Sequence, residues 1–253
     1  MQHTFSSYVA IGDSFTEGVG DELPDGHVRG WADLVALGLA LASSAPIGYA
    51  NLAIRGRLLA PIATDQLDAA LALAPALLSI NGGGNDIMRP RVTITAVADQ
   101  LIGAVERARD AGIHVLLASG ANPTRHIPLG ASIQRRGDQL ADAVRARLPL
   151  DGVTFVDNWA DAELAELKYW SLDRLHLAPA GHHRVASNVL AALGVPVPDV
   201  ATDVIASEAR PRTAAYWREY VLPWIGRRLT GRSSGDDREP KRATLEPVEV
   251  AAG

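Results

Sequence analysis

The chain has 253 residues, 47% of them hydrophobic, which suffices for the core of one large α/β domain or two small ones and excludes disorder throughout. Its 24 Lys and Arg against 29 Asp and Glu leave a net charge of -5, so the whole chain lacks the basic excess that wrapping a nucleic-acid backbone requires. With Cys 0, disulfides, thiolate zinc sites and a cysteine nucleophile are excluded together, and any metal would rest on His or carboxylates.

Met1 to Tyr8 shows neither a basic start nor an apolar run, so no secretory signal is expected and the expected compartment is cytoplasmic. The first β-branched run, Tyr8 to Ile11, reads as a strand and leads into Gly12-Asp13-Ser14-Phe15-Thr16-Glu17-Gly18. Trp31 to Ala42 is the longest nearly apolar stretch; Asp33 interrupts it, and its length suits a buried helix rather than a membrane span. A strand over Ile47 to Ala50 and a helix over Pro61 to Leu73 follow, with the proline in the first turn, where it is tolerated. Leu77 to Ile80 is the third strand, ahead of Gly82-Gly83-Gly84-Asn85-Asp86. Then come a helix over Thr95 to Asp110 with Gly112 as its stop, a strand over Ile113 to Ala118, a helix over Ile133 to Leu148, a strand over Val153 to Val156 and a last helix over Pro179 to Leu193.

Strands alternating with helices in this way predict βαβ units and a parallel sheet. Pro196 and Pro198 stop the last helix, so the main domain is expected to span 1–200. Residues 201–230 carry Trp217, Val221, Trp224, Ile225 and Arg228 at spacings of three and four, interrupted by Pro223. They predict a helical appendage whose tryptophans pack on the domain. Residues 231–253 are polar and charged and are expected to form a disordered tail.

Ser14 stands at the carboxyl end of the first strand, the edge where open α/β sheets bind ligands, although a serine before a helix also serves as a cap. Near the other end of the domain, Asp173 precedes His176 by three residues. That spacing lets a carboxylate accept the imidazole N–H and leave the other ring nitrogen to take a proton. The same string arises at an exposed helix entry. The α/β-hydrolase elbow, G-x-S-x-G, is not matched because position 16 is Thr. The glycine-rich turns lack the Lys-Ser/Thr pair of a phosphate loop and the third glycine of a dinucleotide site. His182 and His183 face different directions on a helix and predict no metal site, while His114 opens a buried strand. Asp13 and Asp86 read as loop-bracing carboxylates. Arg55, Arg57, Arg135 and Arg136 could receive an anionic substrate at the site's mouth or lie solvated on the surface.

Four blocks occur in one order: Gly12-Asp13-Ser14-Phe15, Asn51 to Gly56, Gly82 to Asp86, and Asp173-x-x-His176. Together they resemble the SGNH (GDSL-type) hydrolases over roughly residues 7 to 193. Ala53 stands where many members have glycine, and Phe15 replaces leucine, changes that bear on pocket shape alone. The resemblance implies a three-layer α/β/α domain with a flavodoxin-like, five-stranded parallel sheet. It implies Ser14 as nucleophile, His176 as base and Asp173 as its orienting carboxylate. The backbone N–H groups of Ser14 and Gly56 and the amide of Asn85 would form an oxyanion hole, with no cofactor or metal. The expected activity is hydrolysis of small or short-chain carboxylic esters through an acyl-enzyme, since no apolar insertion interrupts the blocks. Acyl transfer or thioester cleavage by the same residues, and a noncatalytic ligand-binding module, are the alternatives. The expected partner is a small-molecule ester, with no nucleic acid and no membrane association; the sequence does not speak to oligomeric state.

Overall fold

A strand covered on both faces needs apolar side chains in succession, and Tyr8-Val9-Ala10-Ile11 meets that requirement, all four being fully buried. In the computed structural model, which describes residues 5–198, 213, 216–222 and 235–250, this run forms β1 (Ser7–Ile11). After it come α1 (Ser14–Glu17), α2 (Trp31–Ala42) and β2 (Gly48–Asn51). A continuous helical stretch then joins α3 (Leu59–Pro61), a π-helical segment (Ile62–Gln66) and α4 (Leu67–Ala72). The chain continues through β3 (Leu77–Ile80), α5 (Gly84–Ile87), α6 (Ile94–Asp110), β4 (His114–Ala118), α7 (Gly130–Arg145), β5 (Val153–Val156) and α8 (Pro179–Leu193). The expected helices and strands are all present, most with ends within one or two residues and α7 displaced by three toward the amino terminus.

β1 to β5 are parallel and lie in the order β5-β4-β3-β1-β2. The order reverses direction at β1, which opens a crevice beyond its carboxyl end, the usual ligand position of such sheets. Two cores cover the sheet. On one face Trp31, Leu34 and Val35 of α2 meet Val185, Val189 and Leu190 of α8; on the other, Leu67, Leu101, Val105 and Val144 bring α4, α6 and α7 onto the strands. Among the described residues no helix is long and apolar enough to cross a membrane.

The expected five-stranded sheet and disordered tail are both corrected by β6 (Arg242–Pro247), which adds to β2 in antiparallel sense as a sixth strand. The Arg242 guanidinium lies 5.4 Å from the centre of the Tyr49 ring, and Leu245 and Val248 pack against the two cores. An edge strand needs apolar residues only where it meets the sheet, and charge on its outer side discourages further pairing. That composition reads as a tail. Residues 231–234 and 251–253 lie outside the described residues.

Within the expected appendage, a π-helical turn spans Trp217–Val221. Tyr216 makes the buried contact with the domain, whereas Trp217 is 39% exposed. Trp224, Ile225, Arg228 and the boundary near 200 lie outside the described residues.

His182 has no exposed surface: Trp31 N–H donates to its Nδ1, and its Nε2 lies 3.2 Å from the Val19 carbonyl, which fits a neutral ring donating through Nε2. Burial pushes its pKa down to about 4. The unfolded chain therefore binds more protons between about pH 6.5 and 4, and stability falls as pH drops through that window, by about 3 kcal/mol in all. His182→Gln should flatten the acid side of the stability curve by that amount in denaturant titrations at pH 7, 5.5 and 4. Parallel curves for variant and wild type would contradict this.

Candidate active site

The site begins where β1 runs out. Gly12 is buried, and Gln66 satisfies both of its backbone groups: Gly12 N–H donates to Oε1 at 2.8 Å, and Nε2 donates to the Gly12 carbonyl at 3.0 Å. Asp13 then caps α1, its Oδ1 accepting the Phe15 N–H at 3.0 Å. Ser14 is the first residue of that single turn, a position whose backbone N–H has no helical acceptor. Burial pushes the Asp13 carboxyl up to about 6, although the Phe15 N–H and the nearby His176 favour its charged form.

The Asp173–His176 pair sits in a loop closed by an antiparallel bridge between Trp170 and Leu177. Ser171 N–H donates to the His176 carbonyl at 2.9 Å, and Arg174 turns the tip with φ 61°. Asp173 Oδ1 accepts from Ser171 Oγ, Leu175 N–H and His176 N–H at 2.6, 2.9 and 3.0 Å. Its Oδ2 lies 2.5 Å from His176 Nδ1. Burial alone would raise this carboxyl, but the hydrogen bond and charge of His176 and the donors on Oδ1 hold it well below the usual carboxylate range. With Nδ1–H committed to the carboxylate, Nε2 is the nitrogen left to accept a proton. Gly20, at φ 101°, lets a second loop press on this one: a Cβ there would lie 2.0 Å from the Leu177 carbonyl oxygen and 3.5 Å from the His176 Cβ.

Two further loops close the crevice. Gly56, at φ 76°, follows Arg55, whose backbone N–H, Nε and Nη2 all reach the buried Glu17 carboxylate at 2.6, 2.8 and 2.5 Å. Asn51 braces the start of the same loop, accepting the Ala53 N–H and donating to the Thr16 carbonyl. Asn85 lies on α5, and its Nδ2 donates to Asp13 Oδ2 at 3.1 Å and to the Arg57 carbonyl at 2.9 Å, which fixes the direction of the amide. Asp86 Oδ2 accepts the Leu59 N–H, tying α5 to α3. Among the described residues no protein acceptor takes the backbone N–H of Ser14 or Gly56.

Ser14, Gly56, Asn85, Asp173 and His176 all face one cavity of about 460 Å³, within the range of small-molecule sites, about 300–1,000 Å³. Its inner wall, with Leu101, Leu117, Leu140, Val144 and Phe155, lies between β4, β5, α6 and α7. Asp13 and Asp86 are the braces expected of them. Arg55 is bound to Glu17; Arg136 ties Ile87, Arg89 and Val92 carbonyls; Arg135 is exposed. Sequence reasoning misses Gln66, Glu17, Ser171 and Tyr216. Gln66 does leave a signal, as a polar residue at helical spacing from apolar ones, while Tyr216, whose hydroxyl donates to the Asp173 carbonyl, leaves none. Among the described residues no three His, Asp or Glu side chains gather as metal ligands.

Residues 10–184 match the GDSL-like Lipase/Acylhydrolase family. No curated protein matches the chain. Solved structures do. The lipase Lip_vut3 from a goat rumen metagenome is 18% identical, with a TM-score of 0.62 over 74% of this chain and 96% of that one. Axe2, an acetylxylan esterase from Geobacillus stearothermophilus, is 20% identical, with 0.59 over 77% and 97%. TesA is 25% identical, with 0.54 over 74% and 97%. With these blocks matched across more than half its length, the chain belongs to the GDSL-like lipase/acylhydrolase family and is a carboxylic ester hydrolase of α/β fold.

Proposed function

We propose that the protein hydrolyses carboxylic esters through an acyl-enzyme on Ser14. The observation that carries this reading is one cavity holding Ser14 together with a histidine whose Nδ1 is already fixed by Asp173 at 2.5 Å. His176 Nε2 takes the Ser14 proton as Oγ bonds to the ester carbonyl carbon, and Asp173 stabilises the imidazolium. The negative oxygen is received by the N–H groups of Ser14 and Gly56 and by the Asn85 amide, one of whose hydrogens turns from Asp13 or Arg57. Collapse breaks the ester C–O bond, and His176 returns the proton to the departing alcohol. Water, deprotonated by the same nitrogen, then releases the acid and restores Ser14. The Ser171 hydroxyl and the His176 ring and N–H favour the ionised form of Asp173, the form that can orient the base.

We assign the acyl group to the part of the cavity lined by Leu117, Leu140 and Val144. The sequence predicts short acyl chains because no insertion supplies a tunnel; the room here lies between α6, α7 and the sheet, so we assign a chain of medium length. Apolar contact with such walls favours longer chains by removing their surface from water.

Ser14→Ala, His176→Ala and the double variant should lose activity toward p-nitrophenyl esters to a similar extent, because the residues act as one unit, while Asp173→Ala retains more. Wild-type rates in Ser14→Ala would sink the mechanism. Leu140→Trp, which fills the inner wall, should lower kcat/KM for octanoyl esters about tenfold while leaving acetyl esters within about twofold. A wild-type preference for acetyl esters, or equal losses on both, would overturn the chain-length assignment.

A further inference from the structure

Lys241 is one of two lysines in the chain, and it lies beyond residues 10–184, the stretch that matches the family. The residue is exposed, but its side chain lies back against the domain and is 20% accessible. Nζ donates to the Glu17 carbonyl at 2.6 Å, the Val28 carbonyl at 3.0 Å and Asp33 Oδ2 at 2.6 Å, which uses all three of its hydrogens. The ammonium therefore grips the backbone of the residue whose carboxylate holds Arg55. Upstream, a Cβ on Gly235 would lie 2.2 Å from the Arg55 carbonyl oxygen, so this segment passes directly against that loop. Downstream, β6 fixes it to β2.

Glu17 ends the turn that Ser14 begins, and Arg55 immediately precedes Gly56. The two backbone N–H groups assigned to the oxyanion thus belong to separate loops, joined through Glu17 and strapped from outside by 235–242. Oxyanion donors must be placed before the reaction, since small displacements cost transition-state stabilisation more than substrate binding.

We propose that Lys241 is a positioning residue for the reaction, fixing the separation of the Ser14 and Gly56 N–H groups through Glu17. The inference rests on the acyl-enzyme reading of Ser14, and Ser14→Ala measured in parallel separates the two: activity that survives it sinks that reading, whereas Ser14-dependent activity indifferent to Lys241 sinks only this one. In full-length protein, assayed well below each variant's melting temperature, Lys241→Met should lower kcat about tenfold with KM within about twofold. The Asp173–His176 pair is untouched by substitution of Lys241, so stoichiometric labelling of Ser14 by diethyl p-nitrophenyl phosphate should still go to completion in each variant. Lys241→Arg and Lys241→Gln, which keep donors at the end of the stem and stand in should the methionine variant not fold, should fall between, with the arginine closer to wild type. A flat kcat across the series, a change confined to KM, or variants in which Ser14 no longer labels to completion would overturn the proposal.

Discussion

β1 is paired on both edges and covered on both faces, so the chain leaving its carboxyl end at Gly12 and Asp13 carries buried backbone polar groups. Each such group left without a partner costs about 1–3 kcal/mol. The arrangement of the site answers that constraint. Gln66 takes both groups of Gly12, Asp13 takes the N–H of Phe15, Asn51 the carbonyl of Thr16, and Asn81 reaches across to the carbonyl of Ala118. Ser14 stands at the one-turn helix that these bonds hold, and its position is a consequence of satisfying buried backbone at a central strand end.

Three carboxylates close to that turn are divided by their surroundings. Asp173 is held ionised by donors on both oxygens, Asp13 is pushed up to about 6 by burial, and Glu17 is gripped by Arg55. Only the first faces an imidazole nitrogen at hydrogen-bond distance, so only it can orient the base. The others brace loops. Asp13 also accepts from the Asn85 amide, so the turn that presents the serine is linked to α5 without leaving the site.

Most of this is legible in the chain. Strands covered by helices on both faces announce themselves as apolar runs, and Ser14, Gly56, Asn85, Asp173 and His176 stand in one-turn helices or loops that follow a strand or precede a helix, where short motifs are readable. The structure brings these five to one cavity. What escapes depends on contacts far apart in sequence. β6 has a solvated outer side and few apolar residues, and only its pairing with β2 distinguishes it from a tail. Lys241 reaches Glu17 across 224 positions, and Tyr216 reaches Asp173 across 43, neither marked by local spacing. The inner room of the cavity is likewise a gap between α6, α7 and the sheet, which no insertion in the sequence signals.

The central claim is that Ser14 Oγ carries the acyl group, and covalent titration tests it most directly. Diethyl p-nitrophenyl phosphate should phosphorylate Ser14 with release of one p-nitrophenolate per chain. Peptide mass spectrometry should place the adduct on the Ser14 peptide, with residual esterase activity falling in proportion to labelling and no adduct there in Ser14→Ala. Activity that persists once Ser14 is fully labelled, or inactivation with the label on another residue, would contradict it.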